Sequence, residues 1–198
     1  MYEISKRFFD VIISTFGLII IAPIMVGIAF GVLMSSPGPI FFRAVRTGQF
    51  YSEFKIFKFR SMYLESELGA GTTSSNDPRI TRFGKFIRKF KLDELPQLIN
   101  VLKGDMSLVG PRPELPIYTS AYKGKFREIL DVKPGITDLS SIELINMNQI
   151  IPDKGADEFF ENNLLFRKNE MRLFYVQNRS FVLDMKILFT TFFRIMRL

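Results

Sequence analysis

The chain has 198 residues, enough for one domain with a sizeable core. It contains neither Cys nor His, which excludes disulfides, thiolate metal sites and imidazole acid–base chemistry, so any metal or proton chemistry rests on carboxylates. The net charge of +7 is unevenly placed: Arg43–Lys91 holds 11 Lys/Arg against 4 Asp/Glu, which points to nucleic acid, lipid headgroups or a phosphorylated small molecule as partner.

Hydrophobic residues make up 47% of the chain, including 22 Phe, and are densest near its two ends. No charge occurs from Val11 to Phe42. The apolar run VIISTFGLIIIAPIMVGIAFGVLM would be about 36 Å long as a straight helix, enough to cross a bilayer core. Its length and the lack of a small-residue cleavage site argue against a cleaved signal peptide. Pro23 lies near its middle, where it removes a backbone hydrogen bond and kinks or breaks a helix. Basic residues flank both ends, Lys6 and Arg7 before and Arg43 and Arg46 after. A single crossing places its positive flank on one side, so the expectation is a helix-break-helix hairpin that enters one leaflet and returns.

Ser35–Phe42 is a Pro/Gly turn leading out of this segment. Glu53–Met62 alternates apolar and basic residues and reads as a strand with a basic face. Glu67–Pro78 is a polar loop. Arg79–Lys91 spaces Ile80, Phe83, Ile87 and Phe90 at helical intervals opposite Arg82, Lys85, Arg88 and Lys89, an amphipathic helix suited to a membrane surface. Leu95–Lys103 reads as a helix ended by Gly104. Helices are also expected over Glu114–Leu130, Glu158–Asn178 and Ser180–Leu198, with Val132–Asp138 as a turn. The last helix is apolar enough for either core or interface.

The stretch LDELP places two carboxylates, Asp93 and Glu94, side by side just after Arg88, Lys89 and Lys91. Helix capping accounts for one acidic residue there, but leaves the second without a task. Downstream, Pro111 and Pro113 stiffen the backbone on both sides of Arg112, a setting suited to a guanidinium that grips a phosphate. Carboxylates able to bind a divalent cation or act as nucleophile, with arginines for phosphate oxygens, point to phosphoryl chemistry at a lipid surface. Mg²⁺, which prefers oxygen ligands, is the expected metal, with Asp93 and Glu94 as its ligands.

These motifs resemble the bacterial sugar transferases, the monotopic polyprenyl-phosphate phosphoglycosyl transferases. The resemblance is carried by KRFFD (Lys6–Asp10), the Pro23 segment, GPIFFRAVRTG (Gly38–Gly48), FKFRSM (Phe57–Met62) and DPRITRFGKFIRK (Asp77–Lys89). It continues through LDELPQLINVLKGDMSLVGPRPE (Leu92–Glu114), KPGIT (Lys133–Thr137) and NRSFVLDMKIL (Asn178–Leu188). It implies an α+β, mostly helical fold: a re-entrant anchoring hairpin over 1–36, then a catalytic domain over 37–198 with interfacial helices and a small sheet. It implies transfer of a sugar 1-phosphate from a UDP-sugar to polyprenyl (undecaprenyl) phosphate, releasing UMP, on the cytoplasmic face of the bacterial inner membrane. By the same resemblance Asp93 is the nucleophile of a covalent phosphosugar intermediate and Glu94 completes the dyad. Lys58, Arg60, Arg88 and Arg112 align with the basic residues around the diphosphate and the lipid phosphate.

Two departures stand out. The hairpin break often reads Ser-Pro in the family and is Ala22-Pro23 here, so Pro alone must make the bend. After PGIT comes DLSSIEL (Asp138–Leu144) instead of a Gly-Trp-Ala-Gln type segment, which leaves the sugar open. Among other classes, a non-catalytic module binding anionic lipid gives Asp93 and Glu94 no role. A nucleic-acid binder calls for surface aromatics that this Phe distribution does not supply. A nucleotide-sugar pyrophosphate hydrolase differs only in taking water as acceptor. A homodimer through the helical surface is compatible with the sequence, though no feature demands it.

Overall fold

The computed structural model describes residues 2–64, 74, 77–143, 151–152 and 155–195. Most of the polar stretch Glu67–Pro78 and the end of the tail lie outside them. The uncharged run forms most of one 34-residue helix, α1 (Tyr2–Ser35), long and apolar enough to cross a membrane. Helix continues through Pro23, so any bend there is taken up within one helix and not by a gap between two. A proline removes one main-chain bond; the long apolar turns on either side maintain the rest.

Only one face of α1 is covered. At its start, Asp10 accepts hydrogen bonds from Ser107 Oγ at 2.7 Å and Leu108 N at 3.2 Å, while Arg7 donates to the carbonyls of Val101 and Leu102. Past Pro23, Ile28 and Val32 pack with Phe59 and Ile87. Both halves of α1 are thus docked on the same body. The other face exposes Phe8, Phe16, Ile20, Ile24, Val26 and Phe30.

β1 (Phe41–Thr47) and β2 (Glu53–Phe59) form an antiparallel hairpin with Phe41 opposite Phe59 and Thr47 opposite Glu53. This is the expected strand, joined by a partner that the sequence reading did not find. α2 (Arg82–Lys89) is shorter than expected: Thr81 caps it by accepting from Gly84 N at 2.8 Å, which fixes the start three residues late. α3 (Gln97–Lys103) ends at Gly104 with φ 91°, as read. Its Asn100 works as a strand surrogate on the free edge of β2, donating to Lys55 O and accepting from Phe57 N, both at 2.9 Å.

β3 (Ser107–Val109) and β4 (Gly135–Thr137) pair in parallel; the latter lies in what read as a turn. Their junction brings two backbones into contact: a Cβ on Gly135 would sit 2.1 Å from Gly110 N. Gly135→Ala must therefore part the strands. Backbone-on-backbone overlap belongs at the upper end of the ~1–3 kcal/mol that overpacking costs, so we expect a lowered thermal midpoint. An unchanged midpoint would show that the pairing does not matter to stability.

The expected helix over Glu114–Leu130 divides into α4 (Pro116–Ser120) and a 3-10 stretch from Gly124, whose φ of 53° interrupts helical geometry. After α5 (Leu139–Glu143), the expected helix over Glu158–Asn178 also divides, into α6 (Ala156–Asn163) and α7 (Leu165–Asn178), at Leu164 with φ −117°. The tail is α8 (Phe181–Ile195), with Phe189, Phe192 and Phe193 exposed. The main core, containing Ile56, Val101, Met106, Val109, Tyr175 and Ile187, lies among β2, α3, β3, α7 and α8. Asp184 fastens α8 to the start of α1 by accepting from Lys6, Tyr2 and Tyr175 at 2.8–2.9 Å.

Candidate active site

The chain leaves α2 through Lys91, which has φ 57°. A left-handed conformation is uncommon outside glycine; here it turns the backbone sharply into a 3-10 turn, Leu92–Glu94. That turn carries Glu94 to Lys58 of the hairpin and to Arg112 of the segment after β3, with Asp93 beside it. Leu95 and Pro96 are right-handed helical, so the turn runs directly into α3.

Glu94 is the electrostatic hub. Its Oε1 accepts from Lys58 Nζ at 3.0 Å and from Arg112 Nη2, and its Oε2 accepts from Arg112 Nη1 at 3.1 Å. β2 supplies Lys58, and the proline-stiffened segment supplies Arg112. Arg112 is further fixed through its backbone N–H, which donates to Asp138 at 3.3 Å. Burial alone would raise Glu94, but Arg112 first and Lys58 second hold it well below the ordinary glutamate range. The Glu94 charge in turn raises Arg112. Burial lowers Lys58, with Glu94 opposing.

Asp93 has the opposite character. It is 7% exposed, and its Oδ1 is buried with no hydrogen-bond partner. Burial pushes its carboxyl above the ordinary aspartate range and the Glu94 charge adds to that; Lys58, Arg88 and Lys91 oppose without overcoming it. Two adjacent carboxylates with separated affinities for protons mark a division of roles. Glu94 is a fixed anion that organises cations, and Asp93 is a high-energy anion with an unsatisfied oxygen.

The structure brings together Asp93, Glu94, Lys58 and Arg112, with Arg88 near enough to act on Asp93. Arg60 stands apart: it is buried, and Nη1 and Nη2 donate at 2.6 Å to the carbonyls of Pro37 and Ser36. It clamps the exit of α1. Pro23 is an exposed residue of α1.

Four charged residues missed in the sequence stand behind Arg112. Glu114 accepts from Arg172 at 2.6 Å and pairs with Lys168 at 3.4 Å, and Arg172 lies 3.7 Å from Asp138. Burial opposes ionisation of Glu114, but Lys168 and Arg172 hold it at about 2. Burial lowers Lys168 to about 8 against the pull of Glu114. The signal available in the sequence was the spacing of Lys168 and Arg172, four apart on the same face of α7 as Val176.

Among the described residues no three acidic side chains gather as a protein-only metal cage. Asp93 offers one unpartnered oxygen, whereas both Glu94 oxygens face cations. This donor set fits a hard divalent cation whose shell is completed by substrate phosphates, the usual habit of Mg²⁺.

The bacterial sugar transferase family model matches residues 1–198. The chain is 38% identical over 200 residues to UDP-glucose:undecaprenyl-phosphate glucose-1-phosphate transferase of Escherichia coli (strain K12), covering 97% of this chain and 40% of that protein. It is 36% identical over 197 residues to UDP-N-acetylgalactosamine-undecaprenyl-phosphate N-acetylgalactosaminephosphotransferase of Aeromonas hydrophila, covering 96% and 43%. It is 35% identical over 197 residues to the exopolysaccharide production protein PSS of Rhizobium leguminosarum bv. phaseoli, covering 95% and 93%. The chain thus spans about two fifths of the length of the first two relatives and nearly all of the third. With Asp93, Glu94, Lys58 and Arg112 in one cluster and the match running from end to end, the chain belongs to the bacterial sugar transferase family.

Proposed function

We propose that the chain transfers a sugar 1-phosphate from a UDP-sugar to undecaprenyl phosphate, releasing UMP, through a covalent phosphosugar on Asp93. The observation that carries this reading is the pairing of an unsatisfied, buried Asp93 carboxylate with a neighbouring Glu94 that holds Lys58 and Arg112. An Asp93 oxygen attacks the β-phosphorus of the donor; the bond from that phosphorus to the bridging oxygen breaks, and its electron pair leaves with UMP. The lipid phosphate then attacks the same phosphorus and regenerates the carboxylate. Both reactants are anions approaching an anion, so Lys58, Arg88 and Arg112 offset the repulsion. Asp93, with Glu94 beside it, would hold a Mg²⁺ ion, which would supply further charge neutralisation.

The anchoring also supports this reading. α1 is docked through both of its halves on one body and exposes an apolar face, as expected of a helix that dips into one leaflet and returns. The site then sits where a lipid phosphate emerges, and we place it at the cytoplasmic face of the inner membrane, at the first membrane step of glycan assembly.

The test is intact mass of the detergent-solubilised chain after incubation with Mg²⁺ and UDP-glucose or UDP-N-acetylgalactosamine, without lipid. An added hexose phosphate or N-acetylhexosamine phosphate that disappears on addition of undecaprenyl phosphate is the expected result, and it also names the sugar. Turnover to lipid product with no adduct at any time would mean direct transfer.

A further inference from the structure

Among the described residues Arg172 of α7 is the largest fully buried side chain, and the proposed reaction gives it no direct part. Taking a guanidinium out of water is costly unless it is paired, and its partners are specific. Nη2 donates to Glu114 Oε1 at 2.6 Å and Nη1 to Asn169 Oδ1 at 3.1 Å. Nε, buried with no hydrogen-bond partner, lies 3.7 Å from Asp138 Oδ2. That same Asp138 oxygen accepts the backbone N–H of Arg112 at 3.3 Å, and Glu114 closes the proline-stiffened segment that carries Arg112. One guanidinium therefore reaches both carboxylates that hold this segment.

A segment stiffened by two prolines moves as a unit, so the aim of its side chain follows from what fastens its backbone. Pro111 O accepts from Gly135 N at 2.9 Å, and Glu114 O accepts from Thr47 N at 3.0 Å. Between them the prolines have no N–H, which leaves Arg112 N as the one main-chain donor, and it goes to Asp138. Burial would raise Asp138, but Arg172 first, then Ser141 and Ser140, hold it below the ordinary aspartate range. An ionised carboxylate is the stronger acceptor. Lys168 also pairs with Glu114, at 3.4 Å, whereas Arg172 reaches Glu114 and Asp138 together.

Resting on the reading of Arg112 as a cation that meets the donor's phosphates, we propose that Arg172 is the positioning residue for Arg112. Through Glu114 and Asp138 it fixes the backbone from which the Arg112 guanidinium reaches the site. Arg172 itself, sealed behind the segment, touches no substrate. The Arg112 fork meets both oxygens of Glu94, a geometry that tolerates little displacement. An arginine that served only to staple α7 to the interior would affect stability and leave the aim of Arg112 untouched.

The experiment is a double-mutant cycle on the rate of adduct formation, with UDP-glucose or UDP-N-acetylgalactosamine as donor, whichever labels the parent chain. It compares Arg172→Lys, which keeps the charge without the fork, Arg112→Gln, and the two together, at a temperature below every variant's thermal midpoint. Arg112→Gln should slow the adduct on the order of 10²-fold. Arg172→Lys should slow it about tenfold, as a small misplacement of a charge-stabilising group does. The double variant should be no slower than Arg112→Gln, because Arg172 then has nothing left to aim. A double variant slowed by the product of the two factors, or Arg172→Lys at the parental rate, would overturn the assignment and leave Arg172 a staple. Should Arg172→Lys fail to fold, Asp138→Asn, which keeps the shape but removes the charge that takes the Arg112 N–H, runs through the same cycle with the same criteria. Arg112→Gln at the parental rate would instead sink the reading of Arg112, and no adduct in the parent chain would sink the nucleophilic reading of Asp93; the assignment of Arg172 falls with either.

Discussion

Asp93→Asn is expected to abolish adduct formation, by on the order of 10⁴-fold or more, while its thermal midpoint at neutral pH stays at or above that of the parent. Loss of activity alone is common to many substitutions; its combination with undiminished stability is not. Burial and the Glu94 charge raise Asp93 in the folded state. A carboxyl whose folded pKa lies above its unfolded value favours the folded state when protonated, and that contribution is lost as pH rises through the raised pKa. At neutral pH the ionised side chain therefore destabilises the fold, and Asn removes the charge with little change in shape. The two proteins should converge in stability toward acid pH, where Asp93 is protonated in both states. A midpoint well below the parent at neutral pH would mean that Asp93 is held by favourable contacts, which is a capping role and not that of a poised nucleophile.

What the sequence disclosed of this site follows the chemistry of short range. Asp93 and Glu94 are adjacent, Arg112 is fixed by its two prolines, and Lys58 sits on an alternating strand, so local patterns sufficed to single them out. Arg60 occupies the same basic strand pattern, yet its guanidinium turns to the carbonyls of Ser36 and Pro37. No local rule separates a lysine that meets a carboxylate from an arginine two residues later that clamps a helix end. The layer of Glu114, Asp138, Lys168 and Arg172 was hidden for a related reason. Lys168 and Arg172 belong to a helix of mixed charge, and charges on such a helix ordinarily face water. Their partners come from loops at least 30 residues away in sequence, and only folding brings them together. β3 and β4 have three residues each, too few for alternation to register. Their pairing depends on Gly110 meeting Gly135 across a long connection. Pro23 shows the limit of a breaker rule: a proline forbids one hydrogen bond, and a largely apolar helix of 34 residues tolerates that loss.

The adjacent substitution should reverse the stability effect. Glu94→Gln removes the anion shared by Lys58 and Arg112, leaving two largely buried cations face to face. Breaking a buried pair by deleting one partner costs ~3–5 kcal/mol. The side chains here retain 12–25% exposure, and Gln keeps an acceptor, so the lower end applies. At about 3 kcal/mol the thermal midpoint should drop by roughly 6–12 °C. Here the linkage has the other sign. Glu94 is held below its ordinary range, chiefly by Arg112 and Lys58 against burial, so its contribution is present above the unfolded pKa and fades as pH falls through the depressed one. The deficit of Glu94→Gln should therefore be full at neutral pH and shrink in strong acid. Adduct formation should also suffer, on the order of 10²–10³-fold, because Lys58 and Arg112 lose the group that aims them at the donor. At neutral pH, then, one member of the pair limits stability and the other maintains it. If both substitutions shifted the midpoint in the same direction, the separation of a reactive carboxylate from a cation-organising one would fail.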